Sequence, residues 1–228
     1  MQDQWLKRAA LAAALVTGFA ANEAQAQVAV LPLGQAYVGV SGGFIIPQDI
    51  STTFGGAITG SGKLSFKTGG AASGFVGWHF NPILALEGEL SYASFDEDSF
   101  TGVLNGVPVA ASIDGHVNAF AGMANLIATP LGRGRFTPYV GGGAGFASFE
   151  EKITSIGGTF VGTRNDSTNF AANFIAGFDV AIVPRWSVGA RYRFLWANTG
   201  GTSTSDGVSE HQEDFTAHII TANATFHF

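Results

Sequence analysis

The chain has 228 residues, a formal net charge of −6, only 12% charged residues, 32 glycines, 20 phenylalanines and no cysteine. The acidic balance argues against nucleic acid as a partner, and the absence of cysteine removes disulfides, thiol catalysis and cysteine metal sites together. Charge at about half the usual ~25%, with twice the usual glycine, does not suit a soluble helical protein.

Lys7 and Arg8 form a short basic region, followed by an apolar stretch from Ala9 to about Ala21 and a small-x-small pattern at Ala24-Gln25-Ala26. This predicts a secretory signal peptide over residues 1–26 and a mature chain over 27–228. The rival reading is an N-terminal membrane anchor, but a spanning helix needs about 20 apolar residues and the run here is shorter.

The mature chain reads as eight strands with period-two alternation. They fall at about 36–46, 64–80, 83–95, 112–128, 135–150, 169–182, 186–197 and 214–228. Short turns carry Asn81-Pro82, the run 129–134, and Val183-Pro184-Arg185, where proline, asparagine and glycine are expected. Four longer connections, near 47–62, 96–111, 151–168 and 198–213, are rich in Gly, Ser, Thr, Asp and Asn and read as polar loops.

The seventh segment is the most informative. Trp186, Val188, Ala190, Tyr192, Phe194 and Trp196 share one face, and Ser187, Gly189, Arg191 and Arg193 share the other. The two tryptophans lie a rise of roughly 33 Å apart along a strand. A tilt of about 45° brings that to the height of a bilayer's apolar band. Trp78, Trp186 and Trp196 are thus expected at the two membrane interfaces. The predicted fold is all-β, an eight-stranded antiparallel transmembrane up-and-down β-barrel, with both termini at the short-turn end.

With apolar faces outward, Glu87, Glu89, Asp179, Arg191 and Arg193 point inward. An eight-stranded barrel has an interior just wide enough for side chains, and charges enclosed there must be paired. A structural charge network in the lumen is the leading expectation, with a narrow ion path and a catalytic carboxylate as alternatives. Gly141 to Gly145 superficially match a phosphate loop, but no Lys-Ser/Thr follows, so close packing is the expected reason for the glycines. No pair of histidines shows compact metal-ligand spacing, and His211 beside Glu210, Glu213 and Asp214 is read as a solvated loop. No cofactor is expected.

The signal peptide, the run 138–145 (PYVGGGAG), Phe174-Ile175-Ala176-Gly177-Phe178-Asp179, Gly189-Ala190-Arg191-Tyr192-Arg193-Phe194 and the terminal Phe228 carry a resemblance. The chain resembles the small outer-membrane barrels that include the OmpA transmembrane domain and the opacity-type surface antigens. The resemblance implies a Gram-negative outer-membrane location, contact with lipid and lipopolysaccharide, and insertion by the outer-membrane assembly machinery, for which Phe228 would be the signal. It implies a non-enzymatic role in envelope integrity and in surface display or adhesion, with a host or surface ligand met by the loops. A narrow pore or hydrophobic-ligand conduit, as in OmpW-like barrels, is the alternative, and a lipid hydrolase is a third. For a hydrolase, His218 has no serine near it on its own face. No periplasmic domain is expected after the eighth segment. A soluble lipocalin-like barrel would need the aromatic stripe turned inward.

This topology predicts that single cysteines placed at Ser61 or Asn105 react with an impermeant label on intact cells, whereas cysteines at Asn81 or Gly132 do not. Labelling at 81 with protection at 61 would reverse the orientation.

Overall fold

The structure, a computed structural model, describes residues 36–156, 159–205 and 208–228, so the expected signal peptide lies outside the described residues. The strands are β1 (Ala36–Pro47), β2 (Ile50–Gly56), β3 (Gly60–Phe66), β4 (Gly69–His79), β5 (Leu84–Leu104) and β6 (Val107–Ala128). They continue as β7 (Phe136–Ile156), β8 (Thr159–Val183), β9 (Trp186–Ala197), β10 (Gly201–Ser205), β11 (Val208–Gln212) and β12 (Phe215–His227).

Eight of these, β1, β4, β5, β6, β7, β8, β9 and β12, pair antiparallel with their neighbours in a closed ring. The ring closes where β1 meets β12, from Tyr37↔His227 to Pro47↔Ala217. The expected eight-stranded antiparallel barrel is therefore the fold. Closure satisfies every strand edge internally, which is what a sheet surrounded by hydrocarbon requires.

The alternation sets which face meets lipid. Phe44 is 64% exposed, Leu90 58% and Phe174 52%, and Val76, Leu86, Leu126 and Val188 are exposed beside them. A soluble protein does not leave so large a contiguous apolar band bare. The band ends on the loop side where outward positions turn polar: Ser94, Asp96 and Asp98 on β5, His116 and Asn118 on β6, and Ser148, Glu150 and Lys152 on β7. At the short-turn end Trp78 and Trp186 lie exposed. Trp196 sits at the opposite end of β9, its Nε1 donating to Asp214 Oδ2 at 3.1 Å. No helix among the described residues is long and apolar enough to cross a membrane.

The four long connections differ from the expectation of polar loops. A spanning strand needs about 9–11 residues, yet β5, β6 and β7 run 21, 22 and 21 residues. Their upper halves rise beyond the apolar band as hairpins. The first connection holds the β2–β3 hairpin, and the last holds β10–β11. β11 pairs with β2, and β3 pairs with the upper part of β5, so the connections zip into one crown of sheet. The second expected segment also divides, because residues 64–66 belong to β3 and β4 begins at Gly69.

The reason is local. Leu104 and Val107 flank Asn105-Gly106, whose φ values of 50° and 77° are those of a two-residue type I′ turn. Two consecutive left-handed residues match the twist of the flanking strands, so the polar composition of this stretch does not prevent a ladder. In the short turn after β4, Asn81 Oδ1 accepts from Ile83 N at 2.9 Å and Leu84 N at 2.8 Å.

Ala190 lies midway along β9 on the outward face, opposite Phe178 and Ala222. Ala190→Arg should cost about 2–4 kcal/mol of stability in lipid, with smaller costs toward either end of the strand. Unfolding titrations of the variant in bilayers check this, and an unchanged midpoint would reverse the face assignment.

Candidate functional site: the charged plug and the cup above it

β5 and β9 stand diametrically opposite each other in the ring, four positions apart by either route. Their inward faces carry Glu87 and Glu89 on one side and Arg191 and Arg193 on the other. Arg191 Nη1 donates to Glu87 Oε1 at 2.8 Å and Nη2 to Glu87 Oε2 at 3.0 Å, a bidentate pair across the lumen. Arg193 Nη2 donates to Glu89 Oε1. Arg191 Nη1 also lies 3.6 Å from Glu89 Oε2, which joins the two pairs into one cluster. Glu87 is 1% exposed and Arg191 4%.

Side chains from the remaining strands complete the cluster. Tyr37 Oη donates to Glu87 Oε2 at 3.0 Å. Asn125 Nδ2 donates to Glu89 Oε2 at 3.3 Å and to Glu87 Oε1 at 3.5 Å. Arg191 Nε donates to Tyr139 Oη at 3.2 Å, and its guanidinium lies 4.3 Å from the centre of the Phe75 ring. Tyr37, Phe75, Asn125 and Tyr139 were not singled out in the sequence. Each occupies an inward position of its strand, so the same alternation that places the charges would have placed them.

Asp179 departs from the expected network. Its Oδ1 accepts from Asn223 Nδ2 at 2.7 Å, and it forms no ion pair among the described residues. Its register puts it opposite Gly189, one inward step below Arg191, where the guanidinium is already committed to Glu87.

Glycines make the room. A methyl group at Gly39 would overlap the Phe75 ring, and one at Gly77 would overlap the Tyr37 ring. Within the glycine run of β7, a methyl group at Gly143 would run into Asn125. These glycines serve close approach, as their inward positions require.

A buried Ser–His pair lies toward the short-turn end, where Ser187 Oγ is 3.1 Å from His227 Nε2. Arg133 Nη2 is 3.3 Å from His227 Nδ1. A guanidinium only donates, so Nδ1 accepts and the ring proton sits on Nε2. Nε2 then donates to Ser187 Oγ, the reverse of what a serine nucleophile needs. His218, the histidine that the sequence offers for a hydrolase, faces outward and contacts Tyr192 Oη and Gln48 Nε2, each at 2.7 Å. Groups of three or more residues able to hold a metal ion are absent among the described residues.

Above the plug comes a layer of small side chains, including Ala93, Ala119 and Ala147, and then a cup of about 210 Å³ below the crown. Phe66, Phe95, Phe149 and Phe215 meet at its base, with ring centroids 5.0–6.4 Å apart. A void of about 20 Å³ lies within the alanine layer, and one of about 40 Å³ lies on the short-turn side of the plug.

A closed, lipid-facing barrel with a filled lumen defines a class of integral membrane protein. By sequence, residues 11–228 match the family described as the outer membrane protein beta-barrel domain, and the chain belongs to that family. No curated protein matches it by sequence. Among solved structures it is similar to the outer membrane protein OprG from Pseudomonas aeruginosa, at 15% identity and a TM-score of 0.53, covering 86% of this chain and 98% of that one. It is also similar to the outer membrane protease OmpT from Escherichia coli, at 8% identity and a TM-score of 0.52, covering 85% and 96%. Neisserial surface protein A aligns at 15% identity and a TM-score of 0.47, covering 85% and 97%. At these identities the likeness is one of fold.

Removing one partner of the plug leaves a buried charge bare. Arg191→Leu and Glu87→Leu should each destabilise the barrel by about 3–5 kcal/mol. The double variant should lose less than the sum, with a coupling of roughly 0.5–3 kcal/mol. Equilibrium unfolding in lipid of all four proteins checks this, and strict additivity would mean that the pair is solvated.

Proposed function

We propose that this protein is a non-enzymatic barrel of a Gram-negative outer membrane whose lumen is sealed and whose work is done by the crown. In this reading the chain is exported by a cleavable signal peptide. The barrel sits among lipid and lipopolysaccharide, and the hairpins on the long-connection side face outward to display or adhere to a host or surface ligand. The observation that carries it is the plug. Two arginines and two glutamates, drawn from opposite walls and backed by Tyr37, Asn125 and Tyr139, fill the cross-section at mid-barrel. An enclosed, mutually satisfied charge cluster is costly to separate, which opposes a standing water path. The reversed polarity of Ser187 and His227 speaks against a serine hydrolase in the lumen. Phe228 lies exposed with its ring 5.1 Å from that of Phe226, within reach of the assembly machinery.

Planar-bilayer recording tests the sealed lumen. The wild type should show negligible steady conductance, and disrupting the plug by Arg193→Glu should raise leak. Steady wild-type channels whose ion selectivity changes in Arg193→Glu would establish the pore instead.

A further inference from the structure

Among the described residues, the cup is lined by two acids and no base. Glu97 on β5 and Glu151 on β7 both line it, and among the described residues its lining holds no Lys, Arg or His. Among the described side chains, nearby cations are engaged elsewhere: Lys63 with Asp49 at 2.7 Å, Lys67 with Asp98 at 3.3 Å, Lys152 with Glu150 at 2.9 Å, and His116 with Asp96 at 2.7 Å. Glu97 is 2% exposed, and its Oε2 has no hydrogen-bond partner. It reaches over Gly115 of β6, where a methyl group would collide with that carboxyl oxygen. The bare glycine thus opens a lane by which a β5 acid approaches one on β7. A lumen that pairs its other two inward glutamates with arginines leaves these two facing an empty volume.

The rest of the cup is aromatic. Phe95 and Phe215 stack at 15° with centroids 5.8 Å apart, and Phe66 and Phe149 meet Phe215 edge-on. Ring faces beside carboxylates attract an organic cation twice, through the ring quadrupole and through charge. A divalent metal would want six or more oxygen ligands, which the phenylalanine floor does not supply. The volume, about 210 Å³, falls below the roughly 300–1,000 Å³ of drug-sized sites, so the occupant is compact.

Access lies along one side. The ladder between β8 and β9 ends at Ala171↔Ala197, and above it the two walls share the bond from Asn198 N to Phe170 O at 2.9 Å. Ser167, Asn169 and Thr199 line the cup along this seam, and Ser167 is exposed.

We propose that the cup binds a compact organic ammonium ion, with its charge against Glu97 and Glu151 and its carbon skeleton on the phenylalanine rings. This goes beyond the sealed-barrel reading and does not depend on whether the lumen conducts. The acids suit it. Burial first, and then the hydrogen bond and charge of Glu151, push the Glu97 carboxyl up to about 8. Glu97 lies above the apolar band, and Glu151 is the other titratable group lining the cup with it. In the empty cup a proton therefore stands where the ammonium would, and binding should release it. Affinity rises as pH climbs toward 8 and levels off above it.

The test is calorimetric titration of 2-phenylethylammonium chloride into the folded full barrel in a non-ionic maltoside, between pH 6.5 and 9. Saturable one-to-one binding is expected, strengthening by up to about tenfold per pH unit below pH 8, with proton uptake by the buffer. The uncharged analogue 2-phenylethanol should bind at least about tenfold more weakly, the loss of one charge-assisted contact, and phenylacetate should not bind. Glu97→Gln replaces the protonated acid with its isostere, so the barrel should fold while the pH dependence flattens. Phe215→Leu should weaken binding and keep the pH dependence. Equal binding of 2-phenylethanol, preference for phenylacetate, an unchanged pH profile in Glu97→Gln, or Glu97-dependent binding of Mg²⁺ without binding of the ammonium would each overturn the proposal.

Discussion

Everything in this molecule follows from the return of β12 onto β1. In hydrocarbon a free strand edge leaves a row of amides and carbonyls without partners, each costing several kcal/mol. The eleven-residue register from Tyr37↔His227 to Pro47↔Ala217 removes that edge. Once the sheet is closed its two faces have fixed solvents. The outer face must be apolar, and everything polar the strands carry in their spanning halves is forced inside a lumen with little room for water.

The filling of that lumen is therefore a problem of pairing rather than of hydrophobicity. At mid-barrel it is solved by charge and aromatic together, with Glu87 held by Arg191, Tyr37 and Asn125, and Arg191 held between Phe75 and Tyr139. Glycines on the inward faces of β1 and β4 accept the ring bulk of the neighbouring strand. Above, alanines give the same cross-section a loose, apolar filling, and the lumen then widens into the cup. One tube thus has a tight half and an open half, and what changes between them is the size of the inward residues.

Much of this was legible in the sequence, and the parts that were not have physical reasons. The strands of the spanning half declare themselves because lipid enforces strict alternation, as along Trp186 to Trp196. The inward set Glu87, Glu89, Arg191 and Arg193 is the other half of that pattern. Which glutamate meets which arginine depends on barrel stagger, which no single strand encodes, and Asp179 shows the limit by turning to Asn223 instead. The crown was hidden because strands above the membrane have water on at least one face. They need no apolar alternation, so Ser, Thr and Gly can fill a ladder as well as a loop. Even so, Asn105-Gly106 between Leu104 and Val107 is a hairpin signature that outweighs the polar composition around it. The pairing of β2 with β11 joins positions about 160 residues apart and leaves no local trace.

That last pairing changes what the surface of this protein is. The first and fourth connections are covalently remote, yet Thr52 lies opposite Gln212 and Gly56 opposite Val208 in one ladder. An antibody or ligand that reads this region reads two distant stretches of chain as a single strip of sheet. Synthetic peptides copied from either connection would lack half of that strip and the backbone geometry of the rest. Variation there is also coupled, since an insertion in β2 shifts the register of β11. The Asn105-Gly106 tip is tied into the same sheet, with Asn105 N donating to Thr59 O at 2.7 Å and Asn105 Oδ1 accepting from Thr59 N at 2.9 Å, so new sequence there would also disturb the β2–β3 turn.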